Sequence, residues 1–206
     1  MITKQTPLTI AGVNESIYAG FWIRFGALLL DFVIIIPVIF LNLFLNGLSK
    51  NAYYFTALPI LAFHFWYSIY LVKRNGGTPG KLIAGIKILR IDGTDVTWRE
   101  ATLRQIVTFS LTIFGSLITM VALSEADAEY YENLNWMTKQ AYLMSLTPVP
   151  FTIYTWSSNV WTYGELFTLL FNKRKRALHD LIADTVIVRM QYVDKIKDVM
   201  KSATND

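Results

Sequence analysis

From Phe21-Trp22 to about Leu45 the chain is interrupted only by Arg24, Asp31, Pro37 and Asn42, an apolar run of roughly 25 residues with few ways to hide its surface. A helix rises 1.5 Å per residue, so about 20 residues cross the roughly 30 Å of bilayer hydrocarbon. The rest of the chain agrees. Of 206 residues 53% are hydrophobic and 15% aromatic, and only 17% are charged, against about 25% charged in average soluble chains. Lipid is therefore the expected solvent.

Two further runs have span length. One covers about 52–72, contains Pro59 and His64, and closes in Phe63, Phe65, Trp66, Tyr67 and Tyr70, rings that suit a membrane–water boundary. Another covers about 105–123 and carries Thr108, Ser110, Thr112, Gly115, Ser116 and Thr119, small and hydroxylated residues of the kind that line helix contacts in bilayers. Ala141 to Phe171 is too long for one straight span, too short for two, and holds Pro148 and Pro150. A fourth span at about 151–171 puts both prolines at its start, where a missing N–H costs least. Trp136 to Leu146 then becomes an interfacial lead-in.

Charge orients these spans. Lys73 to Arg104 carries seven basic residues, and Lys173-Arg174-Lys175-Arg176 follows the fourth run, while Ser124 to Gln140 holds Glu125, Asp127, Glu129 and Glu132 against Lys139 alone. Basic loops stay cytoplasmic. The expectation is an all-α membrane protein with four transmembrane helices (about 22–45, 52–72, 105–123 and 151–171), both termini cytoplasmic, in the cytoplasmic (inner) membrane. Residues 1–20 form a cytoplasmic N-terminal segment without the apolar core of a secretory signal, residues 21–190 the membrane domain, and 191–206 a polar, solvated C-terminal tail.

The cytoplasmic connections hold a small β-element. Ile86-Lys-Ile-Leu-Arg-Ile91, then Asp92-Gly93, then Asp95-Val-Thr-Trp98 predicts a β-hairpin around an Asp-Gly turn, with Thr185 to Arg189 as a third strand. Gly77-Thr-Pro-Gly-Lys81 ends like a phosphate loop, but that pattern needs Gly at 75 and a hydroxyl at 82, where this chain has Asn75 and Leu82. A glycine-rich turn into a short helix at Leu82 to Ala84 is the reading that remains. Cys is absent, and no paired-histidine motif or G-x-S-x-G elbow occurs among residues that include only two His. No catalytic residue, enzyme activity, cofactor or metal site is expected. The basic residues are explained by topology and anionic lipid, so no nucleic-acid partner is expected.

Several of these pieces together resemble the RDD family of small membrane proteins, named for one arginine and two aspartates. They are Tyr18-Ala-Gly-Phe-Trp-Ile-Arg24 through Asp31, Gly77 to Lys81 with Gly85 to Gly93, Arg104, and Arg176-Ala-Leu-His-Asp180-Leu-Ile-Ala-Asp184 with Thr185 to Val188. The resemblance implies that Arg24 and Asp31 are the arginine and first aspartate, and Asp180 the second, ahead of Asp184. Most members have no assigned role, and some are described as sodium/proton antiporters. The acidic, two-proline segment between Ser124 and Pro150 departs from the pattern and reads as an insertion.

Charges inside spans cost about 2.5–3.5 kcal/mol each, so each calls for a partner, a wet cavity or a task. Counted from the cytoplasmic ends, Arg24 lies about 3 Å deep, Asp31 about 13 Å, His64 about 12 Å and Glu165 about 9 Å. The functional expectation is a cation/proton antiporter or small-solute transporter in which Asp31 binds a monovalent cation or proton, His64 or Glu165 exchanges a proton with it, and Arg24 sets the local field. Membrane lipid and a homodimeric partner belong to that reading, because four spans are few for an alternating pathway. The alternative is a non-transporting scaffold or accessory subunit that binds a partner protein or anionic lipid. There Arg24 snorkels to lipid phosphates, Asp31 is a helix-to-helix bond, His64 packs among aromatics, Glu165 is an interfacial charge, and Asp180 caps or salt-bridges the C-terminal segment against the basic loop.

Overall fold

The structure is a computed structural model that describes residues 5–202. Helix α1 (Phe21–Leu48) leads into α2 (Ala52–Phe65), which continues through one wider π-helical turn (Trp66–Tyr70) into α3 (Leu71–Asn75). Short α4 (Pro79–Ile83) and strand β1 (Ile86–Arg90) precede α5 (Trp98–Glu125). Then come α6 (Ala128–Asn133), α7 (Trp136–Leu146) and α8 (Pro148–Phe171). Short α9 (Leu178–Ile182), strand β2 (Thr185–Arg189) and α10 (Val193–Ser202) close the described chain.

Three helices have the length and apolar content to cross a membrane: α1 with 28 residues, the continuous Ala52–Asn75 with 24, and α5 with 28. Val33, Phe40 and Phe44 of α1 are each more than 60% exposed, an apolar surface that water would not tolerate on this scale. Helix α5 starts at Trp98, seven residues before the expected 105, because Glu100 accepts the Thr97 N–H at 3.0 Å and caps a polar first turn outside the apolar run. At 24 residues α8 has span length, but Thr152, Thr155, Ser157, Ser158, Asn159 and Thr162 dilute its apolar content, and it is not among the three. It begins at Pro148 rather than 151, with both prolines in the first turn. The α7 bounds coincide with the expected lead-in.

The chain divides into two compact units. One draws on Met1–Ile34, Phe65–Ile106 and Tyr163–Asp206, the other on Ile35–His64 and Val107–Thr162. The first unit is organised by a two-stranded antiparallel sheet in which Ile86 pairs Arg189 and Arg90 pairs Thr185. The expected hairpin is corrected. Its Asp-Gly turn forms, with Gly93 N–H on Arg90 O at 2.9 Å, but the return arm contributes a single bridge, Leu89 to Asp95. The long partner of β1 is β2, since Val186, Ile187 and Val188 can be buried on both sheet faces, whereas Asp95 and Thr97 cannot. Alternation sends Leu89, Val186 and Val188 to one core with Ile17 and Tyr18, and Ile86, Ile88 and Ile187 to another with Ile69, Val72 and Ala27.

The solvated tail expected from Gln191 is also corrected within the described residues. Val193, Ile196 and Met200 recur at helical spacing, and α10 buries Val193 and Ile196 in the Leu89 core. Residues 203–206 of that tail lie outside the described residues. Ile196→Val is expected to lower stability by about 1 kcal/mol in detergent unfolding, while the exposed Lys201→Gln should leave it unchanged.

The second unit has its own core of Ala122, Leu123, Ala126, Tyr131 and Leu143. The expected insertion supplies α6 and α7, started by Asp127 accepting from Tyr130 N–H at 2.7 Å and Asn135 from Thr138 N–H at 3.0 Å.

Candidate functional site

The motif charges collect in the first unit as two buried carboxylate clasps. Asp31, on the buried side of α1, accepts from the Tyr67 hydroxyl at 2.5 Å, the Thr78 hydroxyl at 2.6 Å and the Gly80 N–H at 2.7 Å, with the Lys81 ammonium 3.7 Å away. Chain geometry makes this possible. Gly76 ends α3 at φ +77°, Thr78 is extended, and Pro79 opens α4, so hydroxyl, amide and ammonium arrive within four residues. The sequence that failed as a phosphate loop thus does cradle an anion, and the anion is the chain's own carboxylate. The Lys81 ammonium also donates to Thr78 Oγ1 at 3.1 Å, so one hydroxyl joins the two charges. Desolvation pulls Lys81 below the ordinary lysine value; Asp31 opposes that shift, and the Arg104 and Arg24 guanidiniums add to it.

Asp180, fully buried, makes the second clasp. Arg24 donates to Oδ2 at 2.7 Å, Arg104 donates to Oδ1, and the Ala177 N–H donates to Oδ2 at 3.0 Å, starting α9. Arg104 also bonds the Thr185 hydroxyl at the first residue of β2. Burial on its own would raise the Asp180 carboxyl; Arg104 and Arg24 overcome it and hold the group well below the usual carboxylate range. Arg24 places its remaining donors on Ala19 O at 2.9 Å and on Lys175 O. Its side chain is only 10% exposed, so the snorkelling expected of it is corrected: its donors are spent inside the protein. Arg176 likewise bonds Thr185 O at 2.9 Å and Asp180 O at 2.8 Å. Part of the basic run read as a membrane-surface charge is therefore internal mortar.

Asp184 differs from Asp180. Its side chain is 77% exposed, at φ +50°, with Arg176 at 3.3 Å. Of the expected proton-exchange neighbours, Glu165 pairs with His179, accepting its N–H at 3.0 Å and meeting Nδ1 at 2.5 Å. His64 belongs to the second unit, where its ring lies 5.5 Å from Phe109. Asp31 has neither among its hydrogen-bond or ion-pair partners; those are Tyr67, Thr78, Gly80 and Lys81. Sequence reasoning missed all four in this role, although Thr78 to Lys81 had drawn notice for the wrong anion.

A Bacillus subtilis (strain 168) protein, the uncharacterized protein YckC, is 38% identical over 116 residues, 52% of this chain and 74% of that protein. No solved structure matches. The RDD family model matches residues 18–184, a range that holds Arg24, Asp31 and Asp180 along with the loop and strand β1 and stops just before β2. With the span-length apolar helices, this makes the chain a membrane protein that belongs to the RDD family.

Proposed function

We propose that the chain is a cation/proton exchanger rather than an enzyme, and that a monovalent cation and the Lys81 proton are alternatives at Asp31. The observation that supports this is the Asp31–Thr78–Lys81 unit: one carboxylate, three neutral donors, and a single ammonium whose proton is loosened by desolvation. Loss of that proton leaves a negative site with carboxylate and hydroxyl oxygens, a ligand set suited to a small hard cation. Rebinding of the proton to Lys81 expels the cation by charge repulsion. Lys81 takes the part first given to His64 or Glu165. Since Lys81 deprotonates as pH rises, cation affinity rises with it.

The same reading takes α8 as a fourth span. Val149, Ile153, Trp156, Val160, Tyr163, Phe167 and Phe171 recur every three or four residues and are each more than half exposed, a lipid-facing stripe along the whole helix. Four spans with the basic loops inside place both termini in the cytoplasm and the protein in the cytoplasmic membrane. A homodimer supplies the helices that one chain lacks.

Purified protein in liposomes, with a pH dye inside and sodium, potassium or lithium added outside, tests the exchange. The expected result is cation-dependent pH movement in the unmodified chain, absent in both Asp31→Asn, which lacks the cation site, and Lys81→Met, which lacks the exchanged proton. Unaltered exchange in Asp31→Asn sinks the reading.

One observation favours a second reading. Both Asp31 oxygens already have donors, as a purely structural clasp requires. The protein is then a scaffold or accessory subunit, and crosslinking in native membranes yields a different protein instead of a second copy.

A further inference from the structure

The second unit contains a cleft, lined by polar side chains among apolar ones, that the exchange reading does not use. One lobe, about 390 Å³, is lined by Asn42, Thr56, Thr112, Ser116 and Tyr154 among others; a second, about 530 Å³, by Asn46, Lys50, Tyr131, Trp136 and Lys139. Asn42, Tyr53, Thr119 and Gln140 line both, so the lobes adjoin. Volumes of this order suit small ligands.

Two features say what the cleft is for. Its inner lobe reaches Thr112, the middle of the 28-residue α5 and about 20 Å from either helix end. Polar groups at that depth are costly unless something wet or polar meets them. Among the described residues the half-buried Ser116 and Tyr154 hydroxyls have no hydrogen-bond partner within the protein, and the exposed Gln140 amide has none either. Gly115 shapes this lobe: a Cβ there would stand 3.0 Å from the Tyr154 ring, so glycine lets the ring lie against α5. The outer lobe, in contrast, carries charge of one sign. Lys139 sits over the Tyr131 ring at 4.9 Å, and Lys50 donates to Ala126 O. Neither forms an ion pair among the described residues, although Glu125, Asp127, Glu129 and Glu132 occur in the same unit, and no carboxylate lines either lobe.

We propose that this cleft binds a small organic anion bearing hydroxyl groups, its phosphate or carboxylate at Lys50 and Lys139 and its hydroxyls among Asn42, Gln140, Ser116 and Tyr154. Half-buried ammoniums without counter-ions attract the anion, and hydroxyl and amide side chains match a polyol body better than an apolar one. Such chemistry comes from a soluble phosphate ester or from the glycerol phosphate headgroup of an anionic lipid.

The test uses the full chain. Binding of radiolabelled glycerol 3-phosphate to detergent-purified protein probes the soluble source, and native mass spectrometry from nanodiscs of phosphatidylglycerol against phosphatidylcholine probes the headgroup. Each is run on unmodified protein, Lys139→Gln, and Lys73→Gln, which removes an equal charge outside the cleft. The expected result is saturable binding in one arm, weakened about tenfold in Lys139→Gln and unchanged in Lys73→Gln. Which arm binds identifies the source. Binding in neither arm by protein that runs as a folded species, or equal weakening in both variants, overturns the proposal. Failure of the exchange assay leaves it standing, because Asp31 and Lys81 are not in the cleft.

Discussion

Asp180→Ala is expected to destabilise the protein by about 3–5 kcal/mol, the cost of leaving buried charges without their partner. Two guanidiniums lose their counter-ion at once, Arg24 with a 10% exposed side chain and Arg104 with 3%. The Ala177 N–H loses its acceptor and α9 its start. The damage spreads because the clasp ties α1, α5 and α9 to the first residue of β2. Thermal unfolding in detergent, followed by loss of the folded peak in size-exclusion chromatography, measures it. The pH dependence has a definite sign. A carboxyl whose pKa is lowered by folding contributes its stability in full above the unfolded value of about 3.9, and loses it as pH falls from there through the folded value. The Asp180 contribution is therefore flat between neutral pH and about pH 5 and disappears only in stronger acid. In Asp180→Ala that acid-dependent loss should be missing.

Gly80→Ala is the second large effect, expected at about 3 kcal/mol from overpacking plus a lost bond to a charged acceptor. A Cβ on residue 80 would lie 2.5 Å from Ala27 O, 2.5 Å from Asp31 N and 2.6 Å from Asp31 Cγ. Two of these three are backbone atoms of a membrane helix, which cannot swing aside as a side chain does. The turn must back away from α1, and Asp31 loses the Gly80 N–H and with it the alignment of Thr78 and Lys81. Unfolding in detergent reads the stability, and the liposome assay should lose cation-dependent exchange. Gly47→Ala is the control. It lies in α1 with nothing within 4 Å of its added Cβ, so the change should be neutral or mildly stabilising.

The sequence carried the membrane helices plainly, because an apolar run needs no partner in order to be recognised. It also carried Arg24 and Asp31, since a charge inside such a run is conspicuous, whereas Asp180 came from the resemblance to the RDD family. Their partners were hidden. Arg24 to Asp180 spans 156 positions and Arg104 to Asp180 spans 76, separations over which no local period operates. Arg24 and Asp31 lie seven residues apart on one helix, yet each takes its partners from distant segments, Asp180 on α9 for the one and Tyr67, Thr78 and Gly80 for the other. The pairing of β1 with β2 was misjudged for a related reason. The Asp-Gly turn is a strong local signal for a hairpin, and burial of both sheet faces, a tertiary demand, outweighed it.

What the sequence determined by itself was the solvent: apolar runs of span length force helices into lipid, where every backbone polar group must be paired within its own segment. What only the tertiary structure decided was the wiring of the polar groups. Burial makes each unpaired charge so costly that Asp31 and Asp180 must collect donors from wherever the fold brings them. Those donors, Tyr67, Thr78, Gly80 and Lys81 for one and Arg24, Arg104 and the Ala177 amide for the other, are set by distances in space, which sequence spacing does not encode.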